Sequence, residues 1–174
     1  DLAQRMYESG KAKINSLPQV ELVAPQELIF SLEEAEKVVD LFKKEQIDLL
    51  MVQNGTFSSG QVFMHLAQNF AGTIALWALP EPPYKGALKF NSLCGVNLNA
   101  SLLSNMGRQY KYFYASPDDP QFLEEFEKWL KVYAFIKELK ETRIGLFGSR
   151  TPGFYTFGLN ELSLRKNIGP EVYH

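Results

Sequence analysis

Two nearly continuous apolar runs constrain the fold of this chain most. They span Ile47 to Val52 and Thr73 to Ala78, and neither alternates apolar with polar residues. A strand with one face in water alternates, whereas a strand covered on both faces is apolar throughout, which is typical of a parallel sheet. Parallel strands need a crossover, and an amphipathic helical pattern with Phe63 and Leu66 inward lies between the two runs. The sequence therefore predicts an α/β fold.

The alternation of strands and helices continues along the chain. Ser31-Leu-Glu-Glu34 is a capping box that starts one helix, and Asp119-Pro120 pairs an N-cap with proline at the first helical position. Such an order implies right-handed crossovers, so we expect a Rossmann-like three-layer sandwich with a mostly parallel sheet. The remaining predicted elements are a helix over residues 1–16, a strand at Val20–Val23, helices from Asn97 to Met106 and from Pro120 to Lys140, and strands at Tyr110–Ala115 and Ile144–Phe147.

The domain boundary is expected after the long helix. We predict a first α/β domain over residues 1–141 and the beginning of a second α/β domain over residues 142–174. The chain starts on a helix, which is unusual for this class, so its first strand is expected upstream. The run Arg143 to Tyr155 ends in a Gly-, Ser- and Pro-rich turn before an amphipathic segment, Asn160 to Lys166. We therefore interpret the chain as the front piece of a longer protein.

Composition excludes several classes of function. The net charge is -2 with both signs interspersed, so nucleic acid is a poor partner. No apolar run approaches the ~20 residues that span a bilayer, so no membrane partner is expected. Cys94 is the one cysteine, which excludes an internal disulfide, favours the cytoplasm and suggests a small buried hydrophobe. Neither glycine-rich nucleotide motif nor a G-x-S-x-G nucleophile motif occurs.

Ligands of open parallel sheets bind beyond the carboxyl ends of the strands, so the loops at those ends are the expected ligand-binding positions. Hydroxyl groups such as Thr56 and Ser58 suit a neutral polyol, although they also make ordinary turns and caps. Trp77 ends a strand and is either a platform for a sugar ring or a core residue. Arg150 follows a strand and either holds an anion or a substrate oxygen or lies free on the surface. For His65, within a helix, we favour a structural role.

Three segments carry a resemblance to a known family. They are Asn54-Gly-Thr-Phe-Ser58, Ala75-Leu-Trp-Ala-Leu-Pro-Glu81 and Arg143-Ile-Gly-Leu-Phe-Gly-Ser-Arg-Thr-Pro-Gly-Phe-Tyr155. There the chain resembles the amino-terminal portion of the L-fucose isomerase and L-arabinose isomerase family, over most of its length. The third segment is the most distinctive.

The resemblance implies a metal-dependent aldose–ketose isomerase, usually with Mn²⁺, that acts on an open-chain sugar through an enediol. The family's metal ligands come from later domains, so no metal-binding or catalytic residue is expected within this chain. The first domain of such enzymes packs into a trimer or hexamer and lends residues to a neighbouring subunit's active site. Trp77 matches one such aromatic residue, and Thr56, Phe57 and Ser58 match a loop that faces the same cleft. We expect the fragment alone to be inactive.

Two other classes of protein remain open. One is a non-catalytic sugar-binding or regulatory α/β module, which would bind sugar without any metal. The other is a structural assembly domain, for which Trp77 and Phe57 would both be buried and no cleft would be present.

Overall fold

The computed structural model describes residues 2–83 and 86–174, which form two compact units. The first unit ends at Leu123 and the second begins at Glu124, inside helix α5 (Pro120–Glu141). The predicted domain boundary between residues 141 and 142 stays a prediction. The elements of the first unit before α5 are α1 (Leu2–Asn15), α2 (Leu32–Glu45), β1 (Leu49–Asn54), α3 (Gly60–Asn69), β2 (Thr73–Ala78), α4 (Ser92–Asn105) and β3 (Tyr110–Tyr114).

The first unit is built on a three-stranded parallel sheet in the order β1-β2-β3. Strand β2 is central, and its side chains alternate between the two faces of the sheet. Ile74, Leu76 and Ala78 belong to the apolar core that α2, α3 and α4 cover. Trp77 points to the opposite face, where it contacts Gly10 of α1. The predicted α/β fold with a parallel sheet between helices is confirmed.

Helix α2 begins at the predicted capping box. The hydroxyl of Ser31 accepts from the Glu34 N–H at 3.2 Å, and the Glu34 carboxylate accepts from the Ser31 N–H at 2.9 Å. The buried side chains of α2, Ala35, Val38, Val39 and Phe42, form one stripe that packs into the core. Local sequence signals and tertiary burial agree here.

Three predicted elements of the first unit are absent or differ from the structure by two or more residues at one end. The strand predicted at Val20–Val23 is absent: the Val20 N–H donates to the Leu17 carbonyl at 3.1 Å in a turn, and residues 20–25 pair with none of the described strands. Strand β1 begins two residues later than predicted and continues through Asn54, since backbone pairing with β2 does not depend on side-chain polarity. Helix α4 begins at Ser92 rather than Asn97, because tertiary contacts hold its first turn.

The second unit contains a parallel β-α-β arrangement. Strand β4 (Arg143–Gly145) pairs with β5 (Glu171–Tyr173), and helix α6 (Glu161–Asn167) connects them. Asn160 caps α6 by accepting from the Ser163 N–H at 2.9 Å. Strand β4 is shorter than predicted, and β5 was not predicted, because a three-residue strand carries no periodicity. No helix among the described residues is long and apolar enough to cross a bilayer.

Candidate functional site

A buried polar cluster lies at the carboxyl edge of the sheet. Asn54 ends β1, and Ser92 and Asn99 lie on α4; all three side chains are buried. The Ser92 hydroxyl accepts from the Leu79 N–H at 2.8 Å and donates to the Asn54 carbonyl at 2.5 Å. Asn99 Nδ2 donates to Asn54 Oδ1 at 3.2 Å. Buried polar groups are costly unless they are paired. These hydrogen bonds join the ends of β1 and β2 to α4, while Asn99 Oδ1 has no partner among the described residues.

Glu81 follows β2 and binds three backbone N–H groups ahead of α4. One carboxylate oxygen accepts from Phe90 at 3.0 Å and Asn91 at 2.5 Å, and the other accepts from Lys89 at 2.7 Å. Desolvation raises the pKa of the Glu81 carboxyl, but the N–H donors outweigh it and hold the pKa below its ordinary value. Glu81 is therefore a charged anchor that joins the end of β2 to the start of α4.

The loop of residues 55–59, hereafter the 55–59 loop, lies directly above this cluster. Thr56, Phe57 and Ser58 are exposed, and 49% of Phe57 is accessible. The Phe57 N–H donates to the Phe90 carbonyl at 3.1 Å. A Cβ on Gly95 would lie 2.8 Å from Asn54 Nδ2 and 3.3 Å from the Thr56 carbonyl, so the loop approaches α4 closely. The three predicted loop residues thus lie together at the expected edge of the sheet, and their substrate role stays a prediction.

Trp77 lies in the core rather than on a surface. Its side chain is 1% exposed, and its indole stacks on Phe122 with 4.2 Å between ring centroids. Its Nε1–H donates to the Ala115 carbonyl at 2.9 Å. Of the two alternatives for Trp77, the geometry favours the core residue, because both its ring face and its polar atom are occupied within the first unit.

Arg150 belongs to the second unit, whereas the 55–59 loop belongs to the first. Arg150 lines an open pocket of about 380 Å³ together with Ser149, Thr151, Phe154 and Phe157. Its guanidinium carbon lies 5.2 Å from the centroid of the Tyr155 ring, a cation–π distance. The side chain is exposed. A cation beside two hydroxyl groups is suited to an anionic or polyhydroxylated ligand.

The other reactive side chains include the residue types that commonly hold metal ions. Across residues 2–83 and 86–174, no three His, Cys, Asp or Glu side chains are grouped so that they could hold a metal ion. His65 Nε2 lies 2.7 Å from Glu36 Oε2, a contact between α3 and α2. The prediction that Cys94 is buried was wrong: it is exposed, because it lies off the buried stripe of α4 that Val96, Asn99 and Leu103 form.

A family model matches most of the chain. The model of the fucose/sulfoquinovose isomerase N-terminal domain covers residues 3–140. The chain belongs to this family. The predicted resemblance to the amino-terminal portion of fucose isomerase-like proteins is thereby confirmed.

Curated members of the fucose/sulfoquinovose isomerase family share moderate identity with the chain. Sulfoquinovose isomerase of Priestia megaterium (strain ATCC 12872 / QMB1551) is 29% identical over 152 residues, which are 87% of this chain and 34% of that protein. Sulfoquinovose isomerase of Alkalicoccus urumqiensis is 27% identical over 72% of this chain and 28% of that protein. Sulfoquinovose isomerase of Clostridium sp. (strain MSTE9) is 27% identical over 90% of this chain and 34% of that protein. The chain thus spans about a third of the length of the relatives it matches.

Sequence reasoning assigned no role to Glu81, Ser92 or Asn99, and it counted Asn54 only among the polar loop residues suited to a polyol. Glu81 stands between Pro80 and Pro82, which lack an N–H, so its carboxylate has no donor on either neighbouring residue. The flanking prolines distinguish Glu81 in the sequence, but they do not indicate which donors its carboxylate binds. The buried cluster has no comparable signal, because its members come from separate segments.

Proposed function

We propose that the chain is the N-terminal domain of a longer polypeptide that interconverts an aldose and a ketose. The observation that carries the proposal is the family match over residues 3–140. The geometry supports it, because the exposed 55–59 loop lies next to a hydrogen-bonded buried cluster at the sheet edge where α/β proteins bind ligands. This domain would position substrate and exclude water, while the chemical step would occur on residues outside it.

We also propose a substrate class. The named relatives are sulfoquinovose isomerases, and sulfoquinovose is a sugar that carries a sulfonate. The planar guanidinium of Arg150 can donate two parallel hydrogen bonds to such an anion, and the hydroxyls of Ser149 and Thr151 lie in the same pocket. Sulfoquinovose is therefore our first candidate, ahead of fucose and arabinose.

Mn²⁺ is our proposed cofactor for the parent polypeptide, where it would polarise the sugar carbonyl as a Lewis acid. The described residues of this chain do not fit a metal site, since no such cluster forms among them. We therefore assign no metal-dependent step to this chain.

A homo-oligomer, either trimer or hexamer, is the proposed assembly, in which the 55–59 loop would line a neighbouring subunit's cleft. The proposed location is the cytoplasm.

The test is an isomerase assay of the uninterrupted parent polypeptide on sulfoquinovose, fucose and arabinose. We expect aldose-to-ketose conversion of at least one sugar, loss of activity with a chelator and recovery with Mn²⁺. The 174-residue chain is assayed alongside and should be inactive. A folded, metal-loaded oligomer that converts none of these sugars but binds one without metal would contradict the proposal and favour the sugar-binding module.

A further inference from the structure

We propose that Glu81 is a positioning residue that holds the 55–59 loop in place through Phe90. The inference rests on the proposed function, because it assigns to Glu81 the task of presenting Thr56, Phe57 and Ser58 to the sugar. Glu81 itself is not expected to touch the substrate.

The Glu81 carboxylate binds the backbone ahead of α4 through both of its oxygens. Both oxygens of Glu81 are engaged by the consecutive N–H groups of Lys89, Phe90 and Asn91, at 2.7, 3.0 and 2.5 Å. Hydrogen bonds to an ionised acceptor are about twice as strong as those between neutral groups. Three such bonds at one side chain fix the backbone of residues 89–91 relative to the end of β2.

Phe90 connects Glu81 to the 55–59 loop through two backbone hydrogen bonds. Its N–H donates to Glu81, while its carbonyl accepts from the Phe57 N–H at 3.1 Å. Phe90 is 4% exposed, and its backbone bonds Glu81 through the N–H and Phe57 through the carbonyl. A displacement of residues 89–91 would therefore pass directly to Phe57.

The N-cap residue of α4 does not cap the helix with its own side chain. Asn91 occupies the N-cap position in the left-handed region, with φ 50°, and its side chain makes no capping hydrogen bond. Helix N-termini leave N–H groups unsatisfied and favour a nearby negative charge. The Glu81 carboxylate supplies that charge from outside the helix, so α4 and the 55–59 loop depend on the same group.

The experiment is hydrogen–deuterium exchange on the parent polypeptide with Glu81→Gln. The amide keeps the size of the side chain, but it loses the charge and turns one acceptor oxygen into a donor that opposes a backbone N–H. We expect exchange to accelerate about tenfold or more in residues 55–59 and 89–92. In the sulfoquinovose assay we expect KM to rise about fivefold with a smaller change in kcat.

Glu34→Gln is the matched control. Glu34 also accepts backbone N–H groups before a helix, from Phe30 at 2.7 Å and Ser31 at 2.9 Å, but it lies on α2. The control should accelerate exchange near residues 30–35 and leave the 55–59 loop and KM unchanged. This comparison separates a role in the loop from a general loss of helix capping.

Two results would overturn the proposal. One is faster exchange at residues 89–92 of Glu81→Gln with no change in the 55–59 loop; the other is uniform acceleration throughout residues 2–83 and 86–123. If Glu81→Gln does not fold, the shorter Glu81→Asp is measured with the same expectation. The exchange readout does not need isomerase activity, so a parent inactive on every sugar would contradict the proposed function without deciding this one.

Discussion

Trp77 and Phe122 stack with their rings at 17° and their centroids 4.2 Å apart, which joins the end of β2 to the first turn of α5. This contact and the bond from Nε1 to Ala115 occupy the side chain. Trp77→Ala would leave a large cavity, and we expect the free energy of unfolding to fall by about 3–5 kcal/mol. Urea unfolding followed by circular dichroism measures the change.

Trp77→Phe is the control, because it keeps an aromatic ring and removes the Nε1–H donor. Its loss of unfolding free energy should be clearly smaller than that of Trp77→Ala. If Trp77→Ala instead left stability almost unchanged while kcat/KM of the parent fell, Trp77 would be a substrate platform and its buried position would not describe the working enzyme.

Phe57→Ala should raise KM and leave stability unchanged, whereas Trp77→Ala should lower stability. Phe57 is 49% exposed and contributes its backbone N–H, not its ring, to the hydrogen bond with the Phe90 carbonyl. Surface substitutions of this kind usually change the free energy of unfolding by less than about 0.5 kcal/mol. We therefore expect unchanged urea unfolding and a higher KM in the parent. A large loss of stability would show that the ring packs in the fold, and an unchanged KM would remove it from the site.

Arg150→Lys should lower activity of the parent on sulfoquinovose although the positive charge is retained. Lysine lacks the planar fork that binds an anion through two parallel hydrogen bonds. We expect KM to rise about tenfold or more, with little change in Tm because Arg150 is exposed. Arg5→Lys, on the exposed side of α1, is the control. Equal KM values for the two variants would exclude Arg150 from sulfonate recognition.

The capping box of α2 should make stability depend on pH. Backbone N–H groups of Phe30 and Ser31, and then the Ser31 hydroxyl, lower the pKa of the Glu34 carboxyl. A lowered folded-state pKa stabilises the fold above the pKa of the unfolded chain, and this contribution is lost as the pH falls through the folded-state pKa. Glu34→Gln should therefore lower Tm at about pH 7, and the difference from the unmodified protein should narrow towards about pH 3.

Glu33→Gln is the matched control for that series. Glu33 lies in the same turn but is 84% exposed and pairs with Lys37 at 3.1 Å. Exposed ion pairs contribute little, so its Tm should stay close to that of the unmodified protein at every pH. A Tm difference for Glu34→Gln that did not vary with pH would mean that the carboxylate charge is unimportant in the cap.

Elements whose signals are local were predictable. The apolar run Thr73–Ala78 coincides with β2, and the capping box of Ser31 and Glu34 is present as predicted. Elements defined by their neighbours were not: Val20–Val23 pairs with no strand, and α4 begins five residues earlier than its apolar pattern indicates. A strand exists only when a partner lies beside it, and Ser92 starts α4 because it bonds to the ends of β1 and β2.

At the candidate site, local sequence patterns were enough to predict that Thr56, Phe57 and Ser58 share a loop that follows a strand of a parallel sheet. They were not enough to predict that Trp77 is buried while Phe57 is exposed, because both are aromatic residues near strand ends and their burial depends on tertiary contacts. The tertiary structure alone decided that Glu81 binds residues 89–91. The physical reason is range: backbone propensity and hydrophobic period act over a few residues, whereas burial and hydrogen-bond pairing depend on segments that meet only after the chain has folded.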